Sequence, residues 1–272
     1  MTSARNSIPR RGYACALILL LSCLGCGSEQ YEQRLAETAH WFEFQDRQDQ
    51  LLAKPWTGPG IKFRVPKVLT SYPLPPPAEI QDAEGNMIPN PEYQGDFRQP
   101  AFMNVALPGL VGAWHGEVET RTAEGSKQLP CYLYLCSNWE IWLEDAPVEK
   151  ATTFHQTAAD AVTGPLGIFL QENDWDNEKY PRGKGYVVPK NFTFTSKISE
   201  GKFSDEPYAI SIYLHQMQDI RVAVVLVVPQ NADQRTRFEE AWELSLQTLE
   251  VSGETPRRQG EASSGSSSGP TF

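Results

Sequence analysis

The stretch IRVAVVLVVP runs from Ile220 to Pro229, and its residues Val222 to Val228 are all apolar. A strand built from such a run has no face to offer water, so it must be covered on both sides and flanked by other strands. Directly before it stands YAISIYLHQM, Tyr208 to Met217, another β-rich segment, and only Gln218 and Asp219 separate the two. That spacing predicts a hairpin whose second strand is central in its sheet.

The remaining pattern supplies neighbours and covering layers. IKFRVP alternates Ile61, Phe63 and Val65 with Lys62 and Arg64, the period of a half-buried strand. LVGAWHGEVETR, QLPCYLYLCS and WEIWLED read as three consecutive strands, the first two joined by a hairpin loop over 122–127. NFTFTSKI reads as a further strand. PVEKATTFHQTAADAV reads as a helix opened by Pro147, with Ala151, Phe154, Ala158 and Ala161 at near-helical spacing. A closing helix is expected in NADQRTRFEEAWELSLQTLEV. Asn231 and Gln234 have capping-box spacing, and Phe238, Ala241, Trp242, Ser245 and Leu249 form the buried stripe. The order of elements predicts an α+β fold, an antiparallel sheet packed by helices and preceded by an N-terminal helix. That first helix covers residues 30–53, with Tyr31, Leu35, Thr38 and Phe42 on one stripe beside Trp41, Phe44, Leu51 and Leu52.

The chain therefore divides into a leader (1–25), an N-terminal helical segment (26–54), an α+β domain (55–252) and a polar tail (253–272). Within the domain, residues 71–100 form a proline-rich surface stretch containing PLPPP, with a turn at Glu84-Gly85-Asn86. Its prolines could dock an aromatic groove, but a stiff loop is the simpler reading.

The leader says where the protein goes. Arg5, Arg10 and Arg11 precede an apolar run, Tyr13 to Gly25, that is too short to span a bilayer and suits a signal peptide. The end of that run resembles the lipobox of bacterial lipoproteins, in which a cysteine is lipidated on sulfur and becomes the first residue after cleavage. Two registers fit: LLSC, ending at Cys23, and CLGC, ending at Cys26. Cys26 is preferred for its Gly25-Cys26 junction and the Gly27-Ser28 that follows. A redox or zinc reading of the same C-x-x-C lacks a helix N-terminus in a folded domain, or two further ligands. Removing residues 1–25 takes the net charge from −10 to −13, since the leader holds three arginines and no acid. Such a chain is a poor partner for nucleic acid or anionic lipid, and attachment falls to the acyl chains. The implied location is the bacterial cell envelope, on a membrane and facing the periplasm or the surface.

Two resemblances follow. The strand pair ending in VVP, the short loop and the closing helix F-x-x-A-W-x-x-S are similar to the Mog1/PsbP-like fold, as is the early IKFRVPK. The leader with YEQRLAETAHWFEFQDRQDQLL resembles uncharacterised lipoproteins of planctomycete-type bacteria, a likeness that implies export and lipidation but no activity.

Residues able to do chemistry are scattered. His115 and Glu117 share one face of a strand, the nearest approach to an acid/base pair, but two groups do not make a metal site. Asp174, Asp176 and Glu178 alternate in ENDWDNE as calcium ligands can. Counting from Asp174, however, the sixth position is Lys179 where an EF-hand needs glycine, so a solvated acidic loop is the plainer reading. Cys131 and Cys136 lie five apart on one strand, on opposite faces and too far apart for a disulfide. PRGKGY interleaves Arg182 and Lys184 with glycines but lacks the phosphate-loop spacing. No G-x-S-x-G occurs. Trp139 and Trp142, read on opposite strand faces, and Trp175, inside the acidic loop, are the binding anchors on offer. No cofactor motif is present. The function expected is a non-catalytic binding or assembly module in the envelope, with a protein partner there. An enzyme centred on His115 and Glu117, or a calcium- or ligand-binding lipoprotein, are the alternatives.

Overall fold

The structure is a computed structural model, and it describes residues 28–122, 124–144, 147–183, 185–199, 204–232 and 237–256. The leader, with Cys23 and Cys26, and the tail beyond residue 256 lie outside the described residues. The chain divides into two units, Met1–Gln50 and Leu51–Phe272.

The described part of the first unit lies within helix α1 (Ser28–Leu51), which is as expected within two residues at each end. No glycine or proline interrupts it, Glu29 lies in its first turn, and Gln33 donates to Glu37 one turn on at 3.0 Å. Its expected stripe is open to solvent: Tyr31, Leu35 and Phe42 are 63%, 51% and 61% exposed. No helix among the described residues is long and apolar enough to cross a membrane.

The second unit begins with short strands: β1 (Trp56–Gly58), β2 (Ile61–Phe63), β3 (Thr70–Ser71), β4 (Glu79–Gln81) and β5 (Met87–Pro89). Two long strands follow, β6 (Leu110–Thr122) and β7 (Gly125–Ser137), then helices α2 (Trp139–Leu143), α3 (Val148–Thr152) and α4 (Phe154–Thr163). Strands β8 (Asp176–Tyr180), β9 (Lys190–Ser199), β10 (Tyr208–Met217) and β11 (Ile220–Pro229) lead to α5 (Phe238–Thr248) and β12 (Glu250–Val251).

A seven-stranded antiparallel sheet in the order β3-β6-β7-β11-β10-β9-β8 is the centre of the unit. The apolar strand β11 is the fourth of seven, as its composition requires. It pairs with β10 from Tyr208↔Pro229 to Met217↔Ile220 around the two-residue turn, where Gln218 takes φ 52°. Its side chains alternate between two cores. Val222, Val224 and Leu226 join Trp114, Leu133, Leu135, Trp242 and Leu246. Ala223, Val225 and Val227 join Tyr134, Cys136, Phe154, Ala158 and Val162. So α5 and the small sheet β1-β2-β12 cover one face, and α4 covers the other. This is the expected α+β sandwich with segregated helices.

Several expectations need correction. WEIWLED is not a strand: β7 stops at Ser137 and α2 follows. The sheet has ended there, because the β10–β11 turn lies beside Asn138, whose side chain donates to the Asp219 carbonyl at 2.9 Å. With no neighbour to pair with, the next residues satisfy their backbone locally, as in Glu144 N–H to Glu140 O at 3.0 Å. The acidic loop is instead a short 3-10 turn (Glu172–Asp174) running into β8, an edge strand that pairs from Asp176↔Phe194 to Tyr180↔Lys190. The β6–β7 hairpin is tighter than the expected 122–127 loop, since Thr122 pairs directly with Gly125. The closing helix starts at Phe238, so Asn231 does not cap it, and Gln234 lies outside the described residues. The proline-rich stretch carries the β4–β5 hairpin, whose turn is the expected Glu84-Gly85-Asn86. Gly85 there has φ 88°, and the Asp82 carboxylate accepts from the Glu84 and Asn86 N–H groups at 3.0 and 2.7 Å.

Candidate functional site

His115 and Glu117 do lie on one face of β6 and are both exposed. His115 packs its ring on Tyr72, with 4.6 Å between centroids. Cys131, on the neighbouring strand, is on the opposite face and fully buried. Burial first, and the Glu117 charge second, push its thiol up to about 12. Burial pushes Cys136 up to about 12 as well, and both cysteines are free. Thiols so placed stay protonated and behave as small hydrophobes.

The structure does not bring Asp174, Asp176 and Glu178 together, and no group of three or more potential metal-ligating side chains occurs among the described residues. Asp174 accepts the Gln171 backbone N–H at 2.8 Å and pairs with Lys197 at 2.5 Å, and these contacts hold its carboxyl below the ordinary range. Glu178 accepts from the Tyr180 hydroxyl and pairs with Arg182 at 3.1 Å. Arg182 also reaches Glu243 at 3.2 Å, so it is taken up by carboxylates rather than open to a phosphate. Lys184 lies outside the described residues.

The tryptophans are packing residues. Trp175 is half-buried against the α4-side core. Trp139 and Trp142 belong to one helix, not to two faces of a strand, and both pack against the α5-side core. Gly60, at φ 64°, leaves the room Trp139 needs: a Cβ there would lie 2.1 Å from its ring. Trp142 donates its indole N–H to the Asp219 carbonyl at 3.3 Å. Two histidines sit inside the fold, His215 buried and His155 half-buried. His155 Nε2 donates to the His215 carbonyl at 3.1 Å, and His215 Nδ1 to the Asn191 carbonyl at 2.8 Å. Burial lowers both, His155 to about 4, so both are neutral near pH 7.

The structure assembles a site that none of the sequence motifs marks. Residues from β1, the segment after β3, Arg98, the start of β6 and Glu140 of α2 enclose a cleft of about 490 Å³. That is within the range of about 300–1,000 Å³ typical of small-molecule sites. Its walls mix apolar and aromatic side chains, among them Trp56, Tyr72, Leu74 and Val111, with the polar Thr57 and Ser71. Trp56 stands edge-on to the buried Trp114, with 5.3 Å between centroids and 78° between planes. Two glycines make this possible. A Cβ on Gly58 would lie 2.1 Å from the Trp56 ring, and one on Gly112 would lie 2.5 Å from Trp114 and 3.3 Å from Trp56. Tyr72 is fixed by its backbone N–H, which donates to the Ala113 carbonyl at 2.9 Å, and burial raises its hydroxyl pKa.

Arg98 closes one side of the cleft and is 8% exposed. Its guanidinium grips Asp96 through Nη2 at 2.7 Å and Nε at 2.9 Å, and donates to the Leu110 and Val111 carbonyls at 3.2 and 3.4 Å. These are the carbonyls beside the β6 bulge, where β3 pairing has stopped. Burial raises the Asp96 carboxyl, but the Arg98 hydrogen bonds and charge outweigh it and hold it below the ordinary range. Arg98 is thus a neutralised structural cation. Glu140, in contrast, is exposed at the cleft, and its carboxylate has no hydrogen-bond or ion-pair partner among the described residues.

No protein-family model matches the sequence. No curated protein sequence matches it. Among solved structures, a Bacteroides thetaiotaomicron protein solved at 1.50 Å is similar at a TM-score of 0.32 and 9% identity over 77% of this chain. This chain spans 50% of that protein's length. The Ran-binding protein Mog1p of Saccharomyces cerevisiae is similar at a TM-score of 0.29 and 12% identity, over 71% of this chain and 90% of its own. These are loose likenesses of shape, and the fold rests on the strand order and cores described above.

Proposed function

We propose that the chain is an exported, lipid-anchored protein of the bacterial cell envelope that works as a non-catalytic binding or assembly module. The observation that carries the anchor is LLSCLGC, Leu20 to Cys26, behind Arg5, Arg10 and Arg11. With Cys26 as the first residue of the mature chain, α1 begins two residues later at Ser28. Thioether-linked diacylglycerol, with a further acyl chain on the new N-terminus, gives the multiple chains that stable anchoring requires. The body then faces the periplasm or the outside. The binding half of the reading is supported by the cleft, whose aromatic wall is backed by the core and where exposed Glu140 has no partner among the described residues.

Growing cells on a clickable palmitate analogue tests the anchor. Label is expected on the wild type and on Cys23→Ala, and is lost in Cys26→Ala. Labelling that persists in both variants contradicts the reading.

A further inference from the structure

The cleft combines three features that select one sign of ligand. Its one lining cation, Arg98, is already neutralised by Asp96 and occupied by two backbone carbonyls. Its one lining anion, Glu140, is unpaired among the described residues. The aromatic residues between them, Trp56 and Tyr72, carry an indole N–H and a hydroxyl with no hydrogen-bond partner among the described residues. A net negative cleft walled by electron-rich rings attracts cations through charge and ring quadrupole together. Among the described residues that line the cleft, an anion would meet Glu140 with no free cation to offset it. The chain's net charge of −10 adds a field of the same sign.

We propose that the cleft binds a small organic cation with an apolar body: an ammonium held by Glu140 and the Trp56 and Tyr72 rings, its hydrocarbon part against Pro59, Pro73, Leu74 and Val111. The volume of about 490 Å³ suits a ligand of roughly ten to twenty heavy atoms. This rests on the binding-module reading and gives that module its ligand class. The chemistry is reversible binding with no covalent step. The ring geometry supplies its specificity. Gly58 and Gly112 hold Trp56 at the wall, and Leu74, 77% exposed, is a lip that costs nothing to the core when shortened.

The test is calorimetric titration of the full chain, extracted with its anchor in non-ionic detergent, with three matched probes. Benzyltrimethylammonium is the cation, benzyl alcohol the neutral control and benzoate the anion. The cation is expected to bind saturably at one site, at least tenfold more tightly than benzyl alcohol, with no heat from benzoate. Glu140→Gln should weaken the cation about tenfold, leave benzyl alcohol unchanged and keep the urea midpoint. Leu74→Ala should weaken both severalfold. Equal binding of all three probes, preference for benzoate, no binding at all, or a Glu140→Gln variant that binds the cation like wild type each overturns the proposal. Palmitate labelling is read separately. Labelling without cation binding sinks the ligand class and leaves the anchored module standing, whereas binding without labelling does the reverse.

Discussion

Asn138 accepts the Arg221 backbone N–H on Oδ1 at 2.9 Å and donates its own backbone N–H to the Arg221 carbonyl at 3.1 Å. Its Nδ2 donates to the carbonyls of Ala151 and Asp219 at 3.1 and 2.9 Å, and the side chain is wholly buried. One amide thus ties the end of β7 to the β10–β11 turn and to α3. Asn138→Ala leaves one donor and two acceptors without that partner, and a stranded buried group costs about 1–3 kcal/mol. We expect about 2–3 kcal/mol of lost stability, read as a lower urea midpoint at unchanged slope. Asn138→Asp keeps only the acceptor side and should be no better than alanine.

Stability should fall with acid before the carboxylates titrate. A histidine in the unfolded chain takes its proton near pH 6.5, whereas half-buried His155 takes it at about 4, and His215 is shifted the same way. Between these values the unfolded state holds more protons, so stability rises with pH. The contribution is complete above pH 6.5 and lost as pH falls to 4, amounting to about 3 kcal/mol for His155. Arg221 and His215 both face the ring and oppose its charging. Urea melts at pH 7.5, 6, 5 and 4 should show this slope, and His155→Gln should flatten it. A flat profile over that range in the wild type would mean the ring is not buried as described.

Gly112→Ala should disturb the cleft wall and the core behind it together. The new methyl falls 2.5 Å from the Trp114 ring, which is buried at 2% exposure and has nowhere to go. Overpacking of this kind costs about 1–3 kcal/mol. The measurable signs are a lower melting temperature and a shifted tryptophan emission maximum.

Neither body cysteine should react in the native state. Cys131 and Cys136 are buried, with thiols pushed up to about 12. Alkylation with iodoacetamide at pH 8 followed by peptide mapping should find both unmodified, and both fully modified in concentrated urea. Native-state labelling of Cys131 at the rate of a free thiol would show that β7 opens locally.

Strands with a clear period were readable from sequence, because burial on one or both faces leaves its mark on every residue. Val222 to Val228 announced the central strand, and Gln218-Asp219 its turn. β8 was not readable: DNEKY is an edge strand whose only buried residue is Tyr180, so its composition is that of a loop. WEIWLED is rich in the aromatic and β-branched residues that favour strands, and its helix Trp139–Leu143 follows from the sheet ending beside Asn138 at the β10–β11 turn. The cleft left no sequence mark at all. It gathers residues from 56–59, 71–74, 98, 110–113 and 140, segments joined by topology and not by spacing.

The anchored module is the claim on which the location and role of the whole chain depend, and the mass of the mature N-terminal peptide tests it most directly. Protein extracted from membranes should yield a peptide that starts at Cys26 and carries diacylglycerol on its sulfur. An unmodified N-terminus, or a chain that retains residues before Cys23, would contradict it.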